Sequence, residues 1–318
     1  MSDTRIVEAF SEQKVLILGD LMLDEYLWGE VNRISQEAPV PVVVSKNRTY
    51  APGGASNVAT NIVALDGKAI LGGLIGEDES ATVLTKIVSE KGVDVSGFTP
   101  EKERPTTTKT RILAHNQQML RIDSESLEAL LPASERKILE WWLSHLKMAH
   151  ICILSDYGKG LLSPEFTQKL IGAATSVSRI TIVDPKGSDY AKYRGAALIT
   201  PNTLEAEKAS GIEIIDDESL LRAISVLNDI LPETSILLTR GARGMSLFAP
   251  GEPRLDIKAA AKTVFDVTGA GDTVVSVLAL SLAAGADLPT AANLANQAAG
   301  IVVQKLGTSS LSREELLN

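Results

Sequence analysis

Six short runs of almost unbroken apolar residues recur along the chain, separated by longer stretches with helical spacing. They are KVLILGD (14–20), KAILGGLIG (68–76), HICILSD (150–156), ITIVDP (180–185), AALITPN (196–202) and SILLTRG (235–241). Near-continuous apolar character with polar or turn residues at the end reads as buried strand. Between the runs, SERKILEWWLSHLKM and SPEFTQKLIGAATSV show helical spacing with serines placed to cap them. This alternation predicts a mainly parallel sheet covered by helices on both faces. Ligands of such sheets gather beyond the carboxyl ends of the strands. Asp20, Asp156, Asp184, Asn202 and Arg240 all fall at such ends.

Two stretches break the alternation. VPVVVSKNRTYA (40–51) and PTTTKTRILAHNQQMLRID (105–123) are rich in β-branched residues and have no helix inside them; AHNQQ supplies a hairpin turn. They predict a small antiparallel sheet inserted as a lid into one α/β unit spanning residues 1–318. Towards the end, PGEPRLDIKAAAKTVFD predicts further β segments ahead of two apolar helices at 273–284 and 290–304.

A net charge of −9, from 31 basic and 40 acidic residues, argues against broad attraction to nucleic acid or an anionic membrane. A local basic pocket stays compatible with it. The single cysteine, Cys152, lies in an apolar run, which predicts a buried thiol and a reducing, cytoplasmic setting. MSDTRIVEAFSEQK has no apolar core of the signal-peptide kind. The apolar stretch 273–286 is shorter than the roughly 20 residues a spanning helix needs.

The densest chemistry lies in DVTGAGD (266–272), where a Gly-Ala-Gly turn opens a helix and is followed by an aspartate. Glycines allow a tight turn and close approach of a ligand. Free amides and the dipole at a helix start favour an anion there. Asp272 beside bound phosphate is electrostatically awkward unless it takes a proton; the plain alternative is a helix cap. Other nucleotide signatures are missing: there is no G-x-x-x-x-G-K-[ST], and GAGDTV lacks the third glycine of a dinucleotide fingerprint. His115, His145 and His150 have no metal-ligand spacing, and no G-x-S-x-G occurs.

DVTGAGD resembles the C-terminal signature of the ribokinase-like (PfkB) sugar kinases, which phosphorylate small hydroxyl-bearing substrates with ATP. Four more stretches fit the family in order. GDLMLDEY (19–26) is similar to its first-strand substrate motif, and PGGASNVA (52–59) to its glycine pair. TPNTLEAE (200–207) is similar to its N-x-x-E motif, and TRGARG (239–244) to its nucleotide-side turn. Together they cover about residues 14–308. The resemblance implies an α/β ribokinase-like three-layer sandwich with a β lid, working with ATP and Mg²⁺; dependence on a monovalent cation stays open. WGEVNRISQEAPVPVV, NQQMLRID, LSDYGKG, VDPKG and KLGTS are similar to members acting on D-glycero-β-D-manno-heptose 7-phosphate at its C1 hydroxyl, in ADP-heptose supply for lipopolysaccharide core. In many bacteria such kinases are fused to an adenylyltransferase. This sequence, ending at TSSLSREELLN, is accordingly expected to be a stand-alone kinase or an excised kinase domain.

Carried onto this sequence, the resemblance makes Asp272 the base and the amides of Gly269, Ala270 and Gly271 the anion hole. It gives Asn202, Thr203, Leu204, Glu205, Thr239, Arg240, Gly241 and Asn296 to ATP, with Asn202 and Glu205 organising Mg²⁺ through water. An Asn–Glu helix start is the plain alternative for that pair. Asp20, Asp24, Gly53, Gly54 and Asn57 go to the sugar. Arg33, Lys109, Arg111, Lys159 and Lys186 are the candidates for the substrate's own phosphate, although each alone reads as a solvated charge. The lid predicts a homodimer. A kinase for fructose 1- or 6-phosphate or another small sugar, and a catalytically silent sugar or nucleotide sensor, are the alternatives. The intact Gly-Ala-Gly-Asp run counts against silence.

Overall fold

The computed structural model describes residues 2–115, 117–261, 263–305 and 310–317. Its strands are β1 (Lys14–Gly19), β2 (Leu21–Ile34), β3 (Pro41–Gly54), β4 (Lys68–Ile75), β5 (Asp94–Pro100), β6 (Thr108–Ala114) and β7 (Gln117–Ser124). They continue with β8 (Ile151–Ser155), β9 (Ile180–Asp184), β10 (Leu198–Ile199), β11 (Ser235–Thr239), β12 (Met245–Phe248) and β13 (Leu255–Ile257). Nine form the main sheet in the order β13-β12-β11-β10-β9-β8-β1-β4-β5. Pairing is parallel from β5 to β11; at the other edge β12 runs against β11, and β13 runs against β12 and so in the direction of the parallel strands.

The unbroken apolar runs have the cause the sequence suggests. Val15 and Ile17 of β1 enter a core with the helices Ala55–Ala64, Ala270–Ala283 and Leu288–Val302. Leu16 and Leu18 enter a second core with Pro132–Leu146, Pro164–Ser176 and Asp217–Ile230. Alternate residues of one strand therefore feed two separate helix layers, so both faces need apolar side chains. Cys152 is buried in the second core, and burial pushes its thiol up to about 12. Among the described residues no helix is long and apolar enough to cross a membrane.

Four details differ from expectation. Ser163 caps its helix by accepting from Phe166 N, but Ser134 lies inside the other helix, which starts a turn earlier at Pro132. The run 196–202 supplies only the two residues of β10, because Pro201 lacks a donor and Asn202 already begins a helix. Residues 263–267 form no strand; the amides of Phe265 and Asp266 donate instead to Val303 O at a helix end. The second sheet, in the order β3-β2-β6-β7, is mixed rather than antiparallel, since β2 and β6 run parallel. Both enter it from the carboxyl edge of the main sheet, β2 directly after β1 and β6 after β5, so they point the same way. The long β2 carries the lid's centre and starts inside GDLMLDEY, the stretch similar to the family's first-strand substrate motif. Asn116 of the hairpin turn and Leu306–Ser309 of KLGTS lie outside the described residues.

Candidate active site

The site is built where the helix Ala270–Ala283 meets the carboxyl ends of β8 to β11. Gly269 holds a left-handed conformation, φ 79°, that turns the chain into the helix. The amides of Gly269 and Gly271 donate to no described residue and are available to an anion. Ala270 is different: its amide closes the turn on Val267 O at 3.2 Å, which takes it out of the expected anion hole.

Asp272, in the first turn of this helix, has both carboxylate oxygens engaged. Asn57 Nδ2 donates to Oδ2 at 2.6 Å and the Tyr157 hydroxyl donates to Oδ1 at 2.5 Å. Burial raises its pKa from 3.8 to about 6, against the pull of these two hydrogen bonds and of Lys109, while Asp24 adds to the rise. A carboxyl group set near 6 is half ionised just below neutrality and ionised above it, which suits a base.

A cavity of about 210 Å³ opens in front of Asp272, Gly269 and Gly271. Asp184 lines it from the last position of β9 and Lys186 from just beyond, and Asn202, Glu205 and Thr239 line it from the ends of β10 and β11. Asn202 and Glu205 form a reciprocal cap: Glu205 N donates to Asn202 Oδ1 at 2.9 Å, and Asn202 N to Glu205 Oε2 at 3.0 Å. The helix-start alternative is therefore realised, yet it also sets both side chains on the cavity wall. Glu205 Oε1 pairs with Lys186 Nζ at 2.7 Å. Thr203 turns its hydroxyl to Thr239 O at 3.4 Å, and Leu204 is exposed and not among the residues that line the cavity. Asp184, half-buried on the cavity wall, has its carboxyl held well above the ordinary range by desolvation and by the negative charges of Asp272 and Glu205.

On the other side of Asp272 stands the lid. Gly54 caps the helix Ala55–Ala64 with φ 56°, where a Cβ would lie 2.4 Å from Asp20 O. Gly53 lets the Asp24 carboxylate pack against its backbone; a Cβ there would meet Oδ2 at 2.9 Å. Asp24, Lys109 and Asp123 stand in register across β2, β6 and β7. Arg111 Nη1 reaches Asp24 Oδ1 at 2.6 Å. Lys109 is half-buried without an ion pair among the described residues, and burial holds its pKa below the ordinary lysine value. Lys159, close enough to oppose that charge, pairs with Glu125 at 2.7 Å. Asp24, Lys109, Arg111 and Lys159 thus converge.

Other expected residues are placed differently. Asp20 turns inward: its Oδ2 accepts the amides of Tyr157 at 2.8 Å and Lys159 at 3.1 Å, and burial lifts its pKa to about 6. It holds a loop, where a sugar contact was expected. Asn57 serves the Asp272 carboxylate. Arg33 is exposed near the far end of β2, nine residues beyond Asp24 and so roughly 30 Å away along the strand. It does not join the cation cluster. Neither does Lys186, whose ammonium pairs with Glu205 on the opposite wall. Arg240 points away from the cavity, donating to Ser246 Oγ at 3.0 Å among Asp217 and Asp256. Gly241, φ 55°, leaves open space where a Cβ would stand. Asn296 donates to Lys258 O at 2.8 Å and ties the chain beyond β13 to the helix Leu288–Val302. Sequence reasoning missed Tyr157 as a site residue, although LSDYGKG was singled out and Asp156 marked as a strand end. It flagged Asp184 by position alone.

The family described as pfkB family carbohydrate kinase matches residues 12–315. The chain is 48% identical to the bifunctional protein HldE of Desulfatibacillum aliphaticivorans, over 98% of this chain and 63% of that protein. It is also 48% identical to the HldE of Geobacter sulfurreducens, over 95% and 62%. The chain therefore spans less than two thirds of the length of these relatives. Phosphofructokinase-2 from Escherichia coli in complex with potassium superposes with a TM-score of 0.79 at 19% identity, over 96% of this chain and 97% of that one. Ribokinase from Arabidopsis thaliana complexed with ribose and ATP gives 0.76 at 19%, with the same coverage. Both likenesses show the ribokinase-like fold.

Proposed function

The chain belongs to the pfkB family of carbohydrate kinases, and from that premise we propose that it phosphorylates D-glycero-β-D-manno-heptose 7-phosphate with ATP. The phosphoryl group goes to the anomeric C1 hydroxyl and gives the 1,7-bisphosphate, a step of ADP-heptose supply for lipopolysaccharide core in the cytoplasm. The observation that carries this reading is the position of Asp272. It lies between a cavity lined by the Gly269 and Gly271 amides and a cluster of cations on the lid. One flank suits the nucleotide's phosphates, the other a sugar that already bears one. The likeness to HldE proteins supports the heptose substrate over fructose phosphates.

In this scheme Asp272 accepts the proton of the C1 hydroxyl as it attacks the γ-phosphorus of ATP. The Gly269 and Gly271 amides hold the transferring phosphoryl oxygens, with the positive end of the helix behind them. Lys186 and the cap residues Asn202 and Glu205 bound the nucleotide side. Glu205 and Asn202 suit a hydrated Mg²⁺ reached through its waters, because their oxygens keep unused lone pairs beyond the cap. When bound, that ion offsets phosphate charge. Lys109, Arg111 and Lys159 take the 7-phosphate, and Asp24 accepts from a sugar hydroxyl. On the lid's opposite face Leu120 and Ile122 of β7 are exposed beside Ile112 of β6, and a second copy of this chain would cover them. The test is ATP consumption across heptose 7-phosphate, free heptose, fructose 1-phosphate and fructose 6-phosphate. The highest kcat/KM belongs to heptose 7-phosphate; equal or better turnover of a fructose phosphate overturns the substrate assignment, and no turnover of any of them the kinase itself.

A further inference from the structure

Tyr157 stands in the loop that follows β8, and that loop is fixed at three successive amides. Asp20 Oδ2 takes the amides of Tyr157 and Lys159, and Asp156 Oδ1 takes that of Gly158 at 2.7 Å. From this anchored backbone the phenol reaches Asp272 Oδ1, while Asn57 reaches Oδ2 from the helix Ala55–Ala64. The two donors come from different layers of the fold and take one oxygen each. The carboxylate cannot rotate about its Cβ–Cγ bond without losing both. Each oxygen keeps a second lone pair.

We propose that Tyr157 is a positioning residue for phosphoryl transfer: its hydroxyl, anchored through Asp20, fixes the carboxylate plane of Asp272 so that a free lone pair faces the incoming sugar hydroxyl. This rests on the reading of Asp272 as the base. The phenol stays protonated and so donates to the carboxylate, because burial and the neighbouring Asp272 charge hold its pKa well above 10.0. Other charges facing Asp272 are Asp24 and Lys109 from the lid and Asp184 from the end of β9. The aspartates oppose its ionisation and Lys109 favours it. Donation by Tyr157 favours it too, so losing the phenol shifts the base toward its protonated form.

The experiment is Tyr157→Phe in the full chain, assayed with ATP, Mg²⁺ and heptose 7-phosphate. We expect kcat to fall roughly ten- to a hundredfold, the worth of one hydrogen bond to a charged group. KM for ATP stays within about twofold. The acid limb of kcat/KM moves to higher pH, which a purely structural hydroxyl would not do. Replacing Tyr157 with 3-fluorotyrosine keeps the shape and strengthens the donor, so the limb moves to lower pH; this variant decides the matter if the phenylalanine protein does not fold. Unchanged kcat and an unmoved limb overturn the proposal. Asp272→Asn separates the two readings. If it remains active, the base assignment fails; if it is inactive while both Tyr157 variants behave as the parent, the Tyr157 inference alone fails.

Discussion

Asn57 and Asp272 are 215 positions apart in the chain, and Asn57 Nδ2 lies 2.6 Å from Asp272 Oδ2. The bond joins the starts of two helices on the same face of the main sheet, one following the lid strand β3 and the other following the Gly269 turn. It places the carboxylate at the seam between the lid and the cavity.

From that placement, Asp272→Asn should abolish turnover and leave ATP binding near normal. Loss of a general base lowers kcat by roughly 10²–10⁴-fold. Steady-state kinetics with a nucleotide-binding titration checks it, and substantial turnover in the folded variant contradicts it.

The acid titration of the site gives a second expectation. Asp20 and Asp272 each rise from 3.8 to about 6 in the folded protein. The folded value exceeds the unfolded one, so the stability these groups confer is complete below pH 3.8 and lost as pH climbs through about 6. Asp272→Asn, neutral throughout, should gain Tm over the parent as pH increases across that window. In the parent, activity should fall on the acid side near pH 6, as Asp272 takes up a proton. A Tm difference independent of pH would count against the Asp272 shift.

How much of this was legible beforehand differs by element. The two-sided sheet was legible because runs such as KVLILGD have no polar face to give to water. The turn at Gly269 and an aspartate in the first helical turn after it were legible because Gly-x-Gly before a helix has few other uses. The cation cluster was only partly legible: Lys109 and Arg111 share a strand face by period two, but the distance of Arg33 depends on β2 running on for 14 residues. Tyr157 was invisible, since its role depends on an inward turn of Asp20 that no local pattern signals. Arg240 was misplaced because a strand-end arginine can turn to either side, and the acidic groups Asp217 and Asp256 decide which.

Glu205→Gln should raise the Mg²⁺ requirement and leave stability almost unchanged. A glutamine can still accept from Asn202 N in the reciprocal cap, while the charge near the ion is lost. Asn202→Ala instead removes the cap acceptor and should destabilise by about 1 kcal/mol. Matched Mg²⁺ titrations and melting curves distinguish the two; an unmoved Mg²⁺ curve for Glu205→Gln confines that residue to the helix start.

Lys109→Ala should lower kcat/KM for heptose 7-phosphate by roughly ten- to a hundredfold and barely alter that for free heptose. Lys186→Ala should instead weaken ATP equally whichever sugar is offered, since its ammonium lies against Glu205 on the cavity wall. Equal losses on both sugars in the Lys109 variant would place the 7-phosphate elsewhere.

Replacing Leu120 and Ile122 together with aspartate should shift the protein from dimer to monomer in sedimentation velocity. Both are exposed on β7, and two desolvated carboxylates there would oppose a second copy. A monomeric parent at micromolar concentration would overturn the dimer.

Only Asp20 separates β1 from β2, so the lid is no appendage on a flexible tether but the continuation of β1, an interior strand of the main sheet. Its inner half is spliced into the machinery, and a residue added or removed between Gly19 and Asp24 would turn every later side chain to the wrong face. The outer half, beyond Gly29 on β2 and before Ser45 on β3, bears no such constraint. Lineages descended from a common ancestor, or an engineer grafting new recognition, have that rim free to lengthen, shorten or rewrite, while the first turns of the same strands must stay letter for letter in step.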